Sequence, residues 1–234
     1  MLEALREEVL AANLELVRRG LVLYTFGNAS GISRRDGLVV IKPSGVPYET
    51  MRAADLVIVD LEGRPVEGAQ RPSSDLPTHL ELYRAYATLG GVVHTHSRAA
   101  TAWAEAGREI PCLGTTHADY FCGAVPITRP LSDEEIRSDY ERNTGRVIVE
   151  RFAQSDPLAL PGVLVHGHGP FTWGESAAVA AHNAVVLEEI AEIAWRAVVL
   201  NPAASPVSTA LLHKHFLRKH GSGAYYGQDK GAPK

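Results

Sequence analysis

Apolar residues at Leu2, Leu5, Val9, Leu10, Leu14 and Val17 recur at helical spacing, and Gly20 behind Arg18 and Arg19 supplies a stop. The pattern predicts an amphipathic first helix. Two short β-branched runs, Leu38-Val39-Val40-Ile41 and Leu56-Val57-Ile58-Val59, predict strands, with turns at Glu62-Gly63 and Glu67-Gly68. Residues 78–88 return to helical periodicity and stop at Gly90-Gly91. The run from Gly91 to His96 reads as a buried strand leading into Ser97, a residue type suited to cap a helix over 98–106. Ser132, followed by Asp133, Glu134 and Glu135, has the form of a capped helix start. Val163-Leu164-Val165-His166 predicts another strand. Residues 175–199 predict the longest helix, apolar over far more than one stripe, which places it in the core or at a subunit contact.

Helices and strands alternate without a regular βαβ rhythm, and two early strands are joined by tight turns. The expected fold is α/β, a three-layer α/β/α sandwich around a central mixed, largely antiparallel sheet. No G-x-G-x-x-G follows a strand, so a dinucleotide site has no support. Without repeats or a linker, residues 1–228 read as one domain and 229–234 as a disordered tail.

Composition narrows the chemistry. The 23 basic residues against 27 acidic ones give a net charge of −4, which argues against nucleic-acid and membrane-surface partners. The most apolar run, Ile190–Leu200, is broken by Glu192 and Arg196, and the N-terminus lacks a signal-peptide core. The expected setting is soluble and cytoplasmic. Ten His stand against two Cys, Cys112 and Cys122. Two cysteines build neither a disulfide framework nor a thiolate zinc site, so a metal centre here must use imidazole and carboxylate.

His94-Thr95-His96 is the strongest local signal, because residues two apart in a strand share a face and both imidazoles can reach one ion. His166-Gly167-His168-Gly169 repeats the arrangement at the end of a second strand. Strand geometry does not select between its two histidines, but His168, flanked by glycines, is the freer to turn. Asp75 adds a carboxylate just before a helix, and local sequence leaves it open between helix cap and ligand. Three imidazoles and a carboxylate suit Zn²⁺ or another divalent ion such as Mn²⁺. Gly27-Asn28, Ser44-Gly45 and Ser73-Ser74 are small polar loops of the kind that offer donors to a phosphate, although ordinary turns share that composition. Lys42 could add a positive charge. Asp119, in Thr115-Thr116-His117-Ala118-Asp119-Tyr120, is a plausible proton shuttle, with a capped turn as the plainer alternative. The segment from His213 to Tyr226, taken alone, reads as a solvated basic helix end.

The ordered set T-F-G-N-A-S, I-K-P-S-G-V, P-S-S-D-x-P-T-H, G-V-V-H-T-H-S, T-T-H-A-D-Y-F, V-L-V-H-G-H-G-P-F-x-W-G and L-R-K-H-G-x-x-A-Y-Y-G-Q resembles the class II aldolase and epimerase family, from the first helix to Gln228. The resemblance implies a metal site of Asp75, His94, His96 and His168. It implies substrate and phosphate contacts from Gly27, Asn28, Ser44, Gly45, Ser73 and Ser74. It further implies that Asp119 and Tyr226 transfer protons, with Tyr226 supplied by a neighbouring subunit of a cyclic homotetramer, and His215 and Arg218 in the same segment. H-A-D-Y and Y-Y-G-Q are the epimerase-like features. The implied reaction is conversion of L-ribulose 5-phosphate, a phosphorylated pentulose, to D-xylulose 5-phosphate by metal-dependent C3–C4 cleavage and re-addition. The alternative is an aldolase cleaving a sugar 1-phosphate such as L-fuculose 1-phosphate.

Overall fold

A computed structural model describes residues 2–221 and 223–226; Gln228 and the tail expected over 229–234 lie outside them. Seven strands, β1 (Asn28–Ser33), β2 (Leu38–Ile41), β3 (Val57–Asp60), β4 (Pro65–Glu67), β5 (Gly91–His94), β6 (Gly162–Val165) and β7 (Gly169–Gly174), form one sheet. Its order is β4-β3-β2-β1-β5-β7-β6, and every ladder is antiparallel. Among the described residues, the expected mixed character is confined to an isolated parallel bridge between Ile127 and Leu164.

The β-branched runs are continuous because both faces of the sheet are covered. Val39, Ile41, Val57 and Val59 pack on one side with Leu80 and Tyr83 of α2 (Leu76–Ala85) and Ile148 of α6 (Tyr140–Arg151). Val40 and Ile58, one position along, pack on the other side with Val9 and Leu16 of α1 (Glu3–Arg18) and Ala181 of α7 (Ala177–Leu200). A third cluster joins Trp103 of α3 (Arg98–Glu105) to Leu187 and Ala191 of α7. This is the α/β/α sandwich. No helix among the described residues is long and apolar enough to cross a membrane.

Several elements differ from their sequence signals. β1, Asn-Ala-Ser-Gly-Ile-Ser, reads as a polar loop, yet it lies between β2 and β5 in the sheet. Its polarity is satisfied internally. The Asn13 amide of α1 pairs with both the N–H and the C=O of Ala29, and Ser30 Oγ meets His79 Nδ1 and the Tyr83 hydroxyl. Glu67 belongs to β4 rather than to a turn, and β7 and α6 carry no clear periodic signal. Ser97 stands at the cap position of α3, but its side chain makes no cap bond; the Glu188 carboxylate of α7 accepts the Ala99 and Ala100 N–H groups instead. The Ser132–Glu135 capping box forms as expected, opening α5 (Asp133–Ser138).

Candidate metal and anion site

β5 ends at His94, so His96 lies just beyond the strand. The second histidine pair occupies the turn between β6 and β7. The turn leaves the His166 residue exposed and brings His168 inward. The ring centroids of His94, His96 and His168 lie 4.7 to 5.1 Å apart, and one potential ligand atom from each falls within 4.8 Å of the others.

Neighbouring groups prepare these rings. His94 stacks on Phe171 and donates from Nδ1 to the Pro170 carbonyl at 3.0 Å, which leaves the lone pair on Nε2. His168 Nδ1 stands 3.2 Å from the Tyr140 hydroxyl, a contact with no signal in the sequence. Burial pushes the His94 imidazole below its ordinary range and the His168 imidazole down to about 3, aided by the two neighbouring rings. Both are therefore neutral near pH 7, the form a metal binds. These converging neutral donors fit a borderline divalent cation.

Asp75 lies outside this group of three but lines the same cavity. It occupies the cap position of α2 without a side-chain cap bond, and its Oδ2 accepts instead from Asn28 Nδ2 at 2.6 Å. Burial alone would raise its carboxyl pKa, but the His94 and His79 imidazoles and the Asn28 amide outweigh that and hold it below its ordinary value. A carboxylate that stays ionised without capping its helix is available to a cation.

The cavity encloses about 420 Å³ and is lined by Gly27, Asn28, Ser44, Gly45, Ser73 and Ser74 together with Asp75 and the three histidines. Three loops meet because Ser44 N–H bonds Arg71 O, Ser73 N–H bonds Lys42 O, and Asn28 Nδ2 reaches Ser73 Oγ. Gly27 is required by its backbone: φ is +74°, and a Cβ there would sit 2.9 Å from His94 O. Asn28 Oδ1 is buried with no hydrogen-bond partner. Lys42 also lines the cavity, its ammonium 4.7 Å from the Tyr48 ring centre, and burial lowers its pKa. Thr25 and Phe26 line it too, and the sequence singled out neither as a contact.

A second cluster forms between α4 (Thr115–Ala118) and α8 (Thr209–His220). Asp119 accepts from Arg218 at 2.9 and 2.7 Å and lies 3.0 Å from His215 Nδ1, with Lys219 Nζ at 3.9 Å. Burial acts to raise its carboxyl, but Arg218, His215 and Lys219 prevail and lower it. The Tyr226 ring lies under the same two cations, 4.8 Å from the Arg218 guanidinium carbon and 4.5 Å from Lys219 Nζ. Asp119 and Tyr226 thus share Arg218 within one chain, and neither lines the cavity of the histidine triad. His117 bonds the Gly123 carbonyl, and His220 bonds that of Asp119; both hold backbone in place.

Residues 7–195 match the family model described as Class II Aldolase and Adducin N-terminal domain. The chain is 58% identical over 227 residues to L-ribulose-5-phosphate 4-epimerase UlaF of Salmonella paratyphi C (strain RKS4594), covering 97% of this chain and all of that protein. The UlaF protein of Salmonella choleraesuis (strain SC-B67) matches to the same extent. Among solved structures, an L-fuculose 1-phosphate aldolase superposes with a TM-score of 0.75 at 21% identity, over 90% of this chain and 95% of that one. The l-fuculose-1-phosphate aldolase from Thermus thermophilus gives 0.67 at 25% identity, over 87% and 98%. The sandwich, the histidine triad and these matches together place the chain in the class II aldolase and adducin N-terminal domain family.

Proposed function

We propose that this chain is an L-ribulose-5-phosphate 4-epimerase that forms D-xylulose 5-phosphate, acting as a cyclic homotetramer whose sites lie at subunit interfaces. The observation that carries the reading is the opening of the histidine triad into the same cavity as three donor-rich loops. Full-length similarity to proteins named epimerases, against 21–25% identity to fuculose phosphate aldolases, favours epimerisation over net cleavage. Residues 1–228 act as one catalytic domain, and two free cysteines, Cys112 and Cys122, suit a reducing cytoplasm.

The carbon to be inverted bears a hydroxyl but no acidic C–H, so simple proton abstraction there fails. Breaking C3–C4 turns the C4 carbon into an aldehyde, and re-forming the bond on its other face inverts it. A divalent ion, Zn²⁺ or Mn²⁺, held by Asp75, His94, His96 and His168, supplies Lewis-acid stabilisation of the charge developing on the ketose fragment. Gly27, Asn28, Ser44, Gly45, Ser73 and Ser74 hold the phosphate so that the aldehyde fragment rotates without escaping. One group takes the C4 hydroxyl proton on cleavage, and a second returns a proton from the opposite face after re-addition. Asp119 and Tyr226 are assigned these tasks. Tyr226 is supplied by a neighbouring subunit of the tetramer; within one chain it shares Arg218 with Asp119.

Chelation should abolish D-xylulose 5-phosphate formation in a coupled assay, with Zn²⁺ or Mn²⁺ restoring it. Asp119→Asn and Tyr226→Phe should each lower kcat by about 10²–10⁴ at unchanged metal content. Loss of metal along with activity would refute the assigned roles.

A further inference from the structure

We infer that Tyr140 is a positioning residue that sets the tautomer and ring orientation of His168 for metal binding. The inference rests on the reading of His168 as a ligand. His168 lies in the turn after β6, so no strand fixes its ring. The Tyr140 oxygen stands 3.2 Å from His168 Nδ1, with the rings tilted by 31°. A phenol oxygen accepts as well as donates. When it accepts the Nδ1 proton, the lone pair stays on Nε2, the state that His94 reaches through the Pro170 carbonyl.

Tyr140 is itself held in place. It opens α6, and Thr144 Oγ1 donates back to its carbonyl at 2.9 Å. The next residue, Glu141, offers its carbonyl to Thr78 Oγ1 at 2.5 Å, and Thr78 lies in the first turn of α2 behind Asp75. Gly145 permits this approach, since a Cβ there would meet Glu81 Cβ at 2.6 Å and Thr78 O at 3.1 Å. The start of α6 thus couples the helix that carries Asp75 to the turn that carries His168. Two ligands far apart in sequence gain a second connection besides the sheet.

The test titrates metal-free wild type, Tyr140→Phe and His168→Ala with Zn²⁺ against a chromophoric chelator, and records urea unfolding of each metal-free protein. Tyr140→Phe is expected to bind Zn²⁺ about 10–100-fold more weakly, with an unchanged unfolding midpoint and a displaced visible spectrum after Co²⁺ substitution. Wild-type affinity in Tyr140→Phe, alongside lost affinity in His168→Ala, overturns the inference alone. Wild-type affinity in His168→Ala instead removes the metal reading beneath it. Weakened binding with a lowered midpoint and an unchanged Co²⁺ spectrum assigns Tyr140 a purely structural role and also overturns the inference.

Discussion

Two histidines outside the His94–His96–His168 triad carry a pH dependence of their own. His79 is fully buried against Ser30, and burial pushes its pKa from 6.5 to about 3; His117 is pushed likewise to about 4. Unfolding returns both to the ordinary value, so between these limits the unfolded chain binds more protons than the folded one. The stability they contribute is present above pH 6.5 and is lost as pH falls toward 4. The urea midpoint of metal-free protein should therefore drop on acidification from about pH 7 to about pH 4.5. A midpoint that stays level or rises would contradict the burial of these rings. At this scale the sequence was most informative where chemistry and spacing coincide. His94 and His96 stand out because residues two apart along a strand share a face, whereas choosing His168 over His166 rests on its flanking glycines. Local sequence leaves Asp75 open between cap and ligand because both use the same carboxylate, and in the structure it stands at the cap of α2 without making a side-chain cap bond. Tyr140 left no trace, because a tyrosine that touches a histidine 28 residues away obeys no local spacing.

At the scale of elements, α3 begins immediately after the H-T-H segment, and its first amides are satisfied from another helix. Glu188 of α7 reaches the N–H groups of Ala99 and Ala100 at 2.8 and 3.0 Å, doing what the sequence assigned to Ser97. A carboxylate there also complements the helix dipole. Glu188→Ala should cost about 1–2 kcal/mol in chemical denaturation, whereas Ser97→Ala should cost much less at that helix end. Equal losses would contradict the assignment. The substitution of one cap by another is invisible locally because it joins residues far apart in the chain. β1 escaped detection for a related reason. Its small polar side chains have low strand propensity, and tertiary partners on α1 and α2 satisfy them. The strands β2 and β3 were legible because uninterrupted β-branched residues serve two apolar faces at once.

For the whole molecule, the decisive feature is the separation of the histidine-lined cavity from the Asp119–Arg218–Tyr226 cluster within one chain. Sites shared between subunits would rejoin them. His96→Ala and Tyr226→Phe chains, each inactive alone, should then recover up to about a quarter of wild-type activity after subunit mixing, since random assembly pairs both intact halves at about one interface in four. No recovery in demonstrably mixed oligomers would place the complete site within one chain. The order of the motifs, rather than any one of them, carried the functional reading. Each is ambiguous by itself, and the fold is what brings three of the loops around one triad.

An epimerase differs from an aldolase in that cleavage is followed by re-addition before the fragments part. The most direct measurement of this difference follows carbon-13-labelled L-ribulose 5-phosphate by NMR in the presence of metal-loaded protein. Conversion to an equilibrium mixture with D-xylulose 5-phosphate is expected, without accumulation of free glycolaldehyde phosphate. Stoichiometric release of that aldehyde, with no D-xylulose 5-phosphate, would contradict epimerisation and make the protein an aldolase.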